Sequence, residues 1–164
     1  MTSYFFGISR KEGFTMVELL VVIAIIGVLA TLIIITFTDS RIKARDAQRK
    51  LDFQEIRKAI ELYRTDNGGL PPLSGSCGGG VCTSNSGLNW IPGLAPTFIP
   101  AVSVDPVNNT TWRYKYTQSN DDYELDAALE HFSNNRDELN DGGDCATRYE
   151  VGSDTGLNLL PCAS

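Results

Sequence analysis

The sequence contains few of the residues and motifs by which enzymes are recognised. It has a single histidine, His131, with no serine or cysteine context typical of a catalytic triad. There is no glycine-rich phosphate loop, no His-Glu-x-x-His metal motif and no nucleophile elbow. We therefore predict that the protein is not an enzyme.

A basic surface is also missing from most of the chain. Acidic residues outnumber basic ones by 20 to 14, which gives a net charge of −6. From Asp39 to Arg64 there are 8 basic and 5 acidic residues, whereas from Thr65 onward there are 4 basic and 13 acidic residues. Binding of phosphates requires a basic surface, so nucleic acid is not an expected partner.

Proline is absent between Phe14 and Leu70, and charge is almost absent from residues 14–37. This stretch contains one charged residue, Glu18. As a helix it would be roughly 35 Å long, enough for a hydrocarbon core of about 30 Å. We predict a transmembrane helix over 14–37, in which a lone carboxylate is costly and therefore has a partner and a purpose.

The residues before this stretch do not form an ordinary secretory signal, whose cleavage site follows the apolar region. Here Arg10, Lys11 and Gly13 precede it, in the string RKEGFTMVELLVVIAIIGVLA. This string resembles the class III leader and N-terminal helix of type IV pilins and of type II secretion pseudopilins. The resemblance implies that a prepilin peptidase removes the leader, residues 1–13, that Phe14 is then N-methylated, and that Glu18 is the assembly residue.

Glu18 also has a physical account of its own. A cleaved chain carries a positive amine on Phe14, and neither this charge nor the carboxylate is tolerable alone in hydrocarbon. Glu18 of one subunit would neutralise the amine of a neighbour and set their register. The alternative is that Glu18 reaches the lipid headgroups of a simple membrane anchor.

The resemblance further implies partners and a location. The partners are a homo- or hetero-oligomeric filament with other pilins, the prepilin peptidase, an inner-membrane assembly platform and membrane lipid. The location is the bacterial cytoplasmic membrane, single-pass with the N-terminus inside, and then an extracellular or periplasmic filament. Charge alone favours the opposite orientation, because five basic residues follow the apolar run. Two other functions stay open, a monomeric signal-anchored binding protein and a DNA-uptake minor pilin.

Residues 38–67 have the pattern of an amphipathic helix. Phe53, Ile56, Ile60 and Tyr63 recur on one face, which Ala59 and Leu62 widen. The glycine pair at 68 and 69 then acts as a stop signal. We predict one helix of about 50 residues through both halves, with a break near Asp39-Ser40 as the alternative.

Residues 68–164 are predicted to form a globular head. Glycine and proline indicate loops from Leu70 to Thr111, in which Trp90 and Phe98 are core residues or, alternatively, Trp90 is an exposed ligand contact. Alternating residues predict a hairpin of Trp112–Thr117 and Tyr123–Leu129. Its apolar face comprises Tyr123, Leu125, Ala127 and Leu129, and its polar face places Arg113 and Lys115 opposite Glu124 and Asp126. The predicted fold is α+β and pilin-like, with the long helix packed on a small antiparallel sheet.

Four cysteines and a cluster of oxygen side chains complete the candidate sites. Four cysteines allow three disulfide connectivities, and we prefer Cys77–Cys82 and Cys145–Cys162, with free thiols or zinc as alternatives. The second pair would close a loop like the C-terminal disulfide loop of many pilins. Major pseudopilins bind calcium in a loop after the sheet, so the similar position here implies either a Ca²⁺ site or a plain turn cluster at Asp137, Asn140, Asp141 and Asp144.

Overall fold

The computed structural model describes residues 13–75, 77–131, 138, 141–143, 145, 147–153 and 158–162, with side chains for all of these except 32–37. The chain divides into two compact units, Met1–Thr38 and Asp39–Ser164. Residues 1–12 of the predicted leader lie outside the described part of the chain.

One α-helix, α1, runs from Met16 to Asn67 and contains 52 residues. The predicted long helix is therefore confirmed, and the alternative of a break at Asp39-Ser40 is wrong. The helix ends where the sequence predicts. Gly68 has a φ of 71° and donates its N–H to the carbonyl oxygen of Arg64 at 2.9 Å, which is the glycine C-terminal cap expected of such a stop.

The large apolar side chains that begin α1 are exposed within the first unit. From Phe14 to Leu29 their exposed fractions range from 90% at Met16 down to 46% at Val22. Among the residues whose side chains are described, no stretch of helix is both long and apolar enough to cross a membrane. The membrane span predicted for 14–37 stays a prediction.

In the second unit, one face of α1 forms part of the hydrophobic core. Phe53, Ile56, Ala59 and Ile60 are buried, and Tyr63 packs against them at its edge. This confirms the predicted stripe with one correction. Leu62 is 55% exposed. It lies two positions after the buried Ile60, and side chains two positions apart point to nearly opposite sides of a helix.

The sheet is an antiparallel meander of five strands in the order β1-β2-β3-β4-β5. The strands are β1 Cys77–Gly78, β2 Val81–Thr83, β3 Lys115–Ser119, β4 Asp122–Ala127 and β5 Tyr149–Gly152. A short 3₁₀ helix, Ser84–Ser86, follows β2. The α+β fold is confirmed, although β1, β2 and β5 were not foreseen.

The predicted hairpin is present as β3 and β4, shifted from the expected boundaries. Lys115 lies opposite Asp126, one of the two carboxylates predicted to face the basic pair, whereas Glu124 faces Thr117. The turn of the hairpin explains the shift. It contains only Asn120 and Asp121, and Asn120 has a φ of 57°, so both strands extend closer to the turn than expected and end earlier at their other ends.

Both faces of the sheet are covered. Tyr123, Leu125 and Ala127 join the core with α1, as predicted. Glu124 and Asp126, which alternation places on the opposite face, are also buried, with exposed fractions of 1% and 0%. This polar face is covered because Arg148 and the N–H groups of Leu159 and Leu160 lie against these carboxylates.

The connection from β2 to β3 supplies the remaining core residues. Trp90 is fully buried, and its indole N–H donates to the carbonyl oxygen of Ser103 at 2.9 Å. Phe98 meets Tyr63 edge-on with ring centroids 5.4 Å apart. Both predicted core positions are confirmed, and Trp90 is not an exposed ligand contact.

Candidate functional site

The predicted processing and assembly residues lie together at the start of α1. Thr15 and Glu18 are joined by hydrogen bonds in both directions. The Thr15 N–H and hydroxyl each donate to Glu18 Oε2 at 2.8 Å, and the Glu18 N–H donates to the Thr15 hydroxyl oxygen at 3.2 Å. This arrangement is a capping box, which satisfies amide groups that have no partner inside the helix.

The capping box gives Glu18 a partner within its own chain. Sequence analysis missed it, although the Thr-x-x-Glu spacing of residues 15–18 is its signature. Glu18 Oε2 is used by the cap, and the side chain is exposed. The carboxylate is therefore fixed in orientation while it stays accessible to a second partner.

The peptide bond between Gly13 and Phe14 is accessible. Phe14 is 88% exposed, and a Cβ added to Gly13 would meet no atom within 4 Å. Packing therefore does not require glycine at this position.

An ionic cluster with a buried centre, which we call the arginine clamp, comprises Arg45, Asp46, Arg49, Asp105 and Glu130. Arg49 is fully buried, and its guanidinium contacts three carboxylates. Its Nε lies 2.7 Å from Asp105 Oδ2, its Nη1 2.7 Å from Asp46 Oδ1, and its Nη2 2.7 Å from Glu130 Oε1. Arg45 pairs with the same Glu130.

The clamp joins three segments that are distant in sequence. Asp105 Oδ1 accepts N–H groups from Val107 and Asn108, and Asp46 accepts those of Glu130 and His131. Sequence analysis did not link Arg49 to Asp105, which lies 56 residues further along the chain. The buried carboxylates of the clamp are paired with guanidinium groups and backbone N–H groups, so we interpret the clamp as structural.

Two disulfides have the pairing preferred from the sequence. Cys77 pairs with Cys82 directly across β1 and β2, and Cys145 pairs with Cys162. Gly79 and Gly80 form the intervening turn with φ values of 64° and 84°, which is why glycine occupies both positions. No cysteine is free, so zinc and free thiols are not supported.

Three buried carboxylates, Glu124, Asp126 and Glu150, form a second cluster, which we call the carboxylate cluster. Glu124 Oε2 accepts the N–H groups of Leu159 and Leu160 at 2.8 and 2.9 Å, and Glu150 Oε2 accepts that of Cys145 at 3.0 Å. Asp126 pairs with Arg148 and lies 3.5 Å from the Lys115 ammonium. Burial raises the pKa of Glu124, and it raises the pKa of Glu150 to about 7.

The structure covers only part of the calcium site predicted from the sequence. Asp137, Asn140 and Asp144 lie outside the described residues. Asp141 is described. Its Oδ1 accepts the Gly143 N–H at 3.0 Å and its Oδ2 accepts the Glu150 N–H at 2.7 Å, which is how an aspartate supports a turn.

Comparison with known proteins gives a match to one family model and matches to several relatives. Residues 8–34 match the family model described as the prokaryotic N-terminal methylation motif. The type II secretion system core protein G of Escherichia coli (strain K12) is 33% identical over 91 residues, covering 56% of this chain and 54% of the relative. The type IV major pilin protein PilA of Myxococcus xanthus (strain DK1622) is 25% identical over 122 residues, covering 69% and 56%.

The chain spans about half the length of these relatives. No solved structure gives a significant match. The chain thus carries the prepilin-type N-terminal methylation motif and is a relative of type II secretion core protein G and of the type IV pilin PilA.

Proposed function

We propose that this protein is a structural, non-enzymatic subunit, a pilin or pseudopilin, of a type IV pilus-like filament or a type II secretion pseudopilus. A prepilin peptidase cuts between Gly13 and Phe14, and Phe14 is N-methylated. The N-terminal helix anchors the subunit in the cytoplasmic membrane, with its head outside. An assembly platform then transfers it to a filament of like subunits.

The observation that carries this proposal is the methylation motif at 8–34, joined to a helix start whose large apolar side chains are all exposed. Such a surface is compatible first with lipid and later with neighbouring helices. A head-to-tail interface that does not close on itself produces a filament rather than a ring. Glu18 then serves twice, as the cap of its own helix and as the partner of a neighbour's Phe14 amine.

Intact mass spectrometry of the membrane-extracted protein tests the proposal. The expected species consists of residues 14–164 with one added methyl group and two disulfides. The matched control is Gly13→Leu, which should keep the leader, and no atom lies within 4 Å of a Cβ at this position. A wild-type protein that keeps residues 1–13 and stays monomeric in the bilayer would instead be a signal-anchored surface protein.

A further inference from the structure

We propose that Asn109 is an N-glycosylation acceptor, which carries an oligosaccharide on its side-chain amide nitrogen. Transfer of sugar to asparagine takes place at the motif Asn-x-Ser/Thr, where x is not proline, on surface segments of exported proteins. The loop before β3 contains the run Asn108-Asn109-Thr110-Thr111. This run holds two overlapping copies of the motif, one that begins at Asn108 and one that begins at Asn109.

The copy that begins at Asn108 is not available for modification. Asn108 is half-buried, and its Nδ2 donates to the carbonyl oxygen of Ser84 at 3.2 Å. Its Oδ1 accepts the hydroxyl of the same serine at 2.8 Å. Both ends of the amide therefore hold this loop to the short 3₁₀ helix after β2. A sugar on the Asn108 nitrogen would break that contact.

The copy that begins at Asn109 has the opposite character. Asn109 is exposed, and its Oδ1 accepts the N–H groups of Thr111 and Trp112, each at 2.8 Å. Two N–H donors on one side-chain atom identify that atom as the oxygen, so the other atom is the nitrogen. Asn109 Nδ2 has no hydrogen bond to any described residue, and the acceptor nitrogen is accessible.

The turn that carries Asn109 is well supported and stands at the surface. The Asn109 N–H donates to the carbonyl oxygen of Trp112 at 2.9 Å, which closes the turn. Thr110 and Thr111 are exposed like Asn109 itself. The whole motif can therefore be reached by a transferase without unfolding of the head.

The compartment of the head is compatible with this modification. All four cysteines are paired in disulfides, which form and persist in oxidising compartments outside the cytoplasm. The inference also rests on the proposed function, in which the head lies outside the cytoplasmic membrane. A sugar donor for that side of the membrane is an oligosaccharide joined through its anomeric carbon to a lipid pyrophosphate.

The transfer is a substitution at the anomeric carbon. A bond forms between Asn109 Nδ2 and that carbon, and the bond from the carbon to the pyrophosphate oxygen breaks. The lipid pyrophosphate leaves with the electron pair, and a base of the transferase takes one proton from the amide. The hydrogen bonds of Thr111 and Trp112 to Oδ1 draw electron density toward the oxygen, which makes the Nδ2 protons easier to remove.

Peptide mass spectrometry of the full-length protein, purified from the cells that make it, tests this proposal. Electron-transfer fragmentation keeps sugars attached, and we expect it to locate an oligosaccharide on Asn109. Asn109→Gln and Thr111→Val should each abolish the modification. Thr110→Val is the matched control, since it disrupts only the copy of the motif at Asn108 and should leave the oligosaccharide in place. Both threonines are exposed, so these variants should fold alike.

Three outcomes would overturn the proposal. The first is an unmodified Asn109 in protein that has lost residues 1–13 and gained its methyl group, which would leave the filament function intact. The second is a sugar on the hydroxyl of Thr110 or Thr111 instead of the Asn109 amide. The third is a modification that is lost in Thr110→Val and kept in Thr111→Val, which would identify Asn108 as the acceptor. Retention of the leader by glycosylated protein would contradict the filament function alone.

Discussion

Arg49 is the residue on which the arginine clamp depends. Arg49→Met would remove the guanidinium that pairs with the buried carboxylates of Asp46 and Asp105. Breaking a buried ion pair by removing one member costs about 3–5 kcal/mol. We expect a loss of that size in the free energy of unfolding from urea denaturation. Arg41→Met, the same change at an exposed position of α1, should cost less than about 0.5 kcal/mol, and equal losses would contradict the clamp.

Glu130 makes the clamp sensitive to acid. Hydrogen bonds from Arg45, and then from Arg49, hold the pKa of Glu130 below its ordinary value of 4.5, against the opposing effect of burial. A lowered pKa means that the ionised form stabilises the folded chain. This contribution is complete above pH 4.5 and is lost as the pH falls through the lowered pKa.

We therefore expect Glu130→Gln to lower the free energy of unfolding at pH 7 and to lower it less at pH 3. Urea denaturation at both pH values measures the difference. Glu55→Gln, an exposed position on α1, should show little change at either pH. A Glu130→Gln deficit that is larger at pH 3 than at pH 7 would contradict a lowered pKa for the Glu130 carboxyl group.

At the scale of the helix, the Thr15 cap has a measurable effect. Thr15→Val removes the hydroxyl that accepts from the Glu18 N–H, and loss of such a cap costs about 1 kcal/mol. Hydrogen exchange of the amides in the first turn of α1 should become about fivefold faster. Thr31→Val is the control, because the Thr31 hydroxyl only donates to the Val28 carbonyl of the same helix. Equal acceleration at both helix positions would argue against the cap.

The two disulfides should differ in their contribution to stability. Cys77 and Cys82 are 5 residues apart, whereas Cys145 and Cys162 are 17 apart. Loop-closure entropy predicts about 2 kcal/mol for the short loop and about 3 kcal/mol for the long one. Thermal unfolding of the Cys77→Ser/Cys82→Ser and Cys145→Ser/Cys162→Ser double variants tests the order. A larger loss from the first pair would show that the hairpin matters beyond loop closure.

For the whole molecule, assembly and head folding should be separable. Glu18 lies in the unit Met1–Thr38, and the buried core lies in Asp39–Ser164. Glu18→Ala should therefore reduce filaments seen by electron microscopy at least tenfold while the Tm of the head stays unchanged. Glu55→Ala, an exposed change farther along α1, serves as control. Normal filaments in Glu18→Ala would contradict the assembly role of this carboxylate.

Much of the fold is local in origin and could be predicted. The buried stripe of α1 follows from a 3.6-residue period, and the β3–β4 hairpin follows from alternation around a short polar turn. Gly68 fixes the end of the helix because glycine readily adopts positive φ. The Thr15–Glu18 capping box could also have been predicted, because the Thr-x-x-Glu spacing that defines it is visible in the sequence.

The sequence by itself therefore determined the processing motif, the long helix, the hairpin and the acidic character of the head, because each depends on residues close together in the chain. Only the tertiary structure decided that Arg49 meets Asp105, which is 56 residues away, and that Glu124 lies near Glu150. Alternation places Glu124 and Asp126 on one face of β4 but does not say what covers that face. Residues 158–162 cover it, where the N–H groups of Leu159 and Leu160 donate to Glu124, and alternation within β4 cannot specify a contact with a segment so distant in the chain.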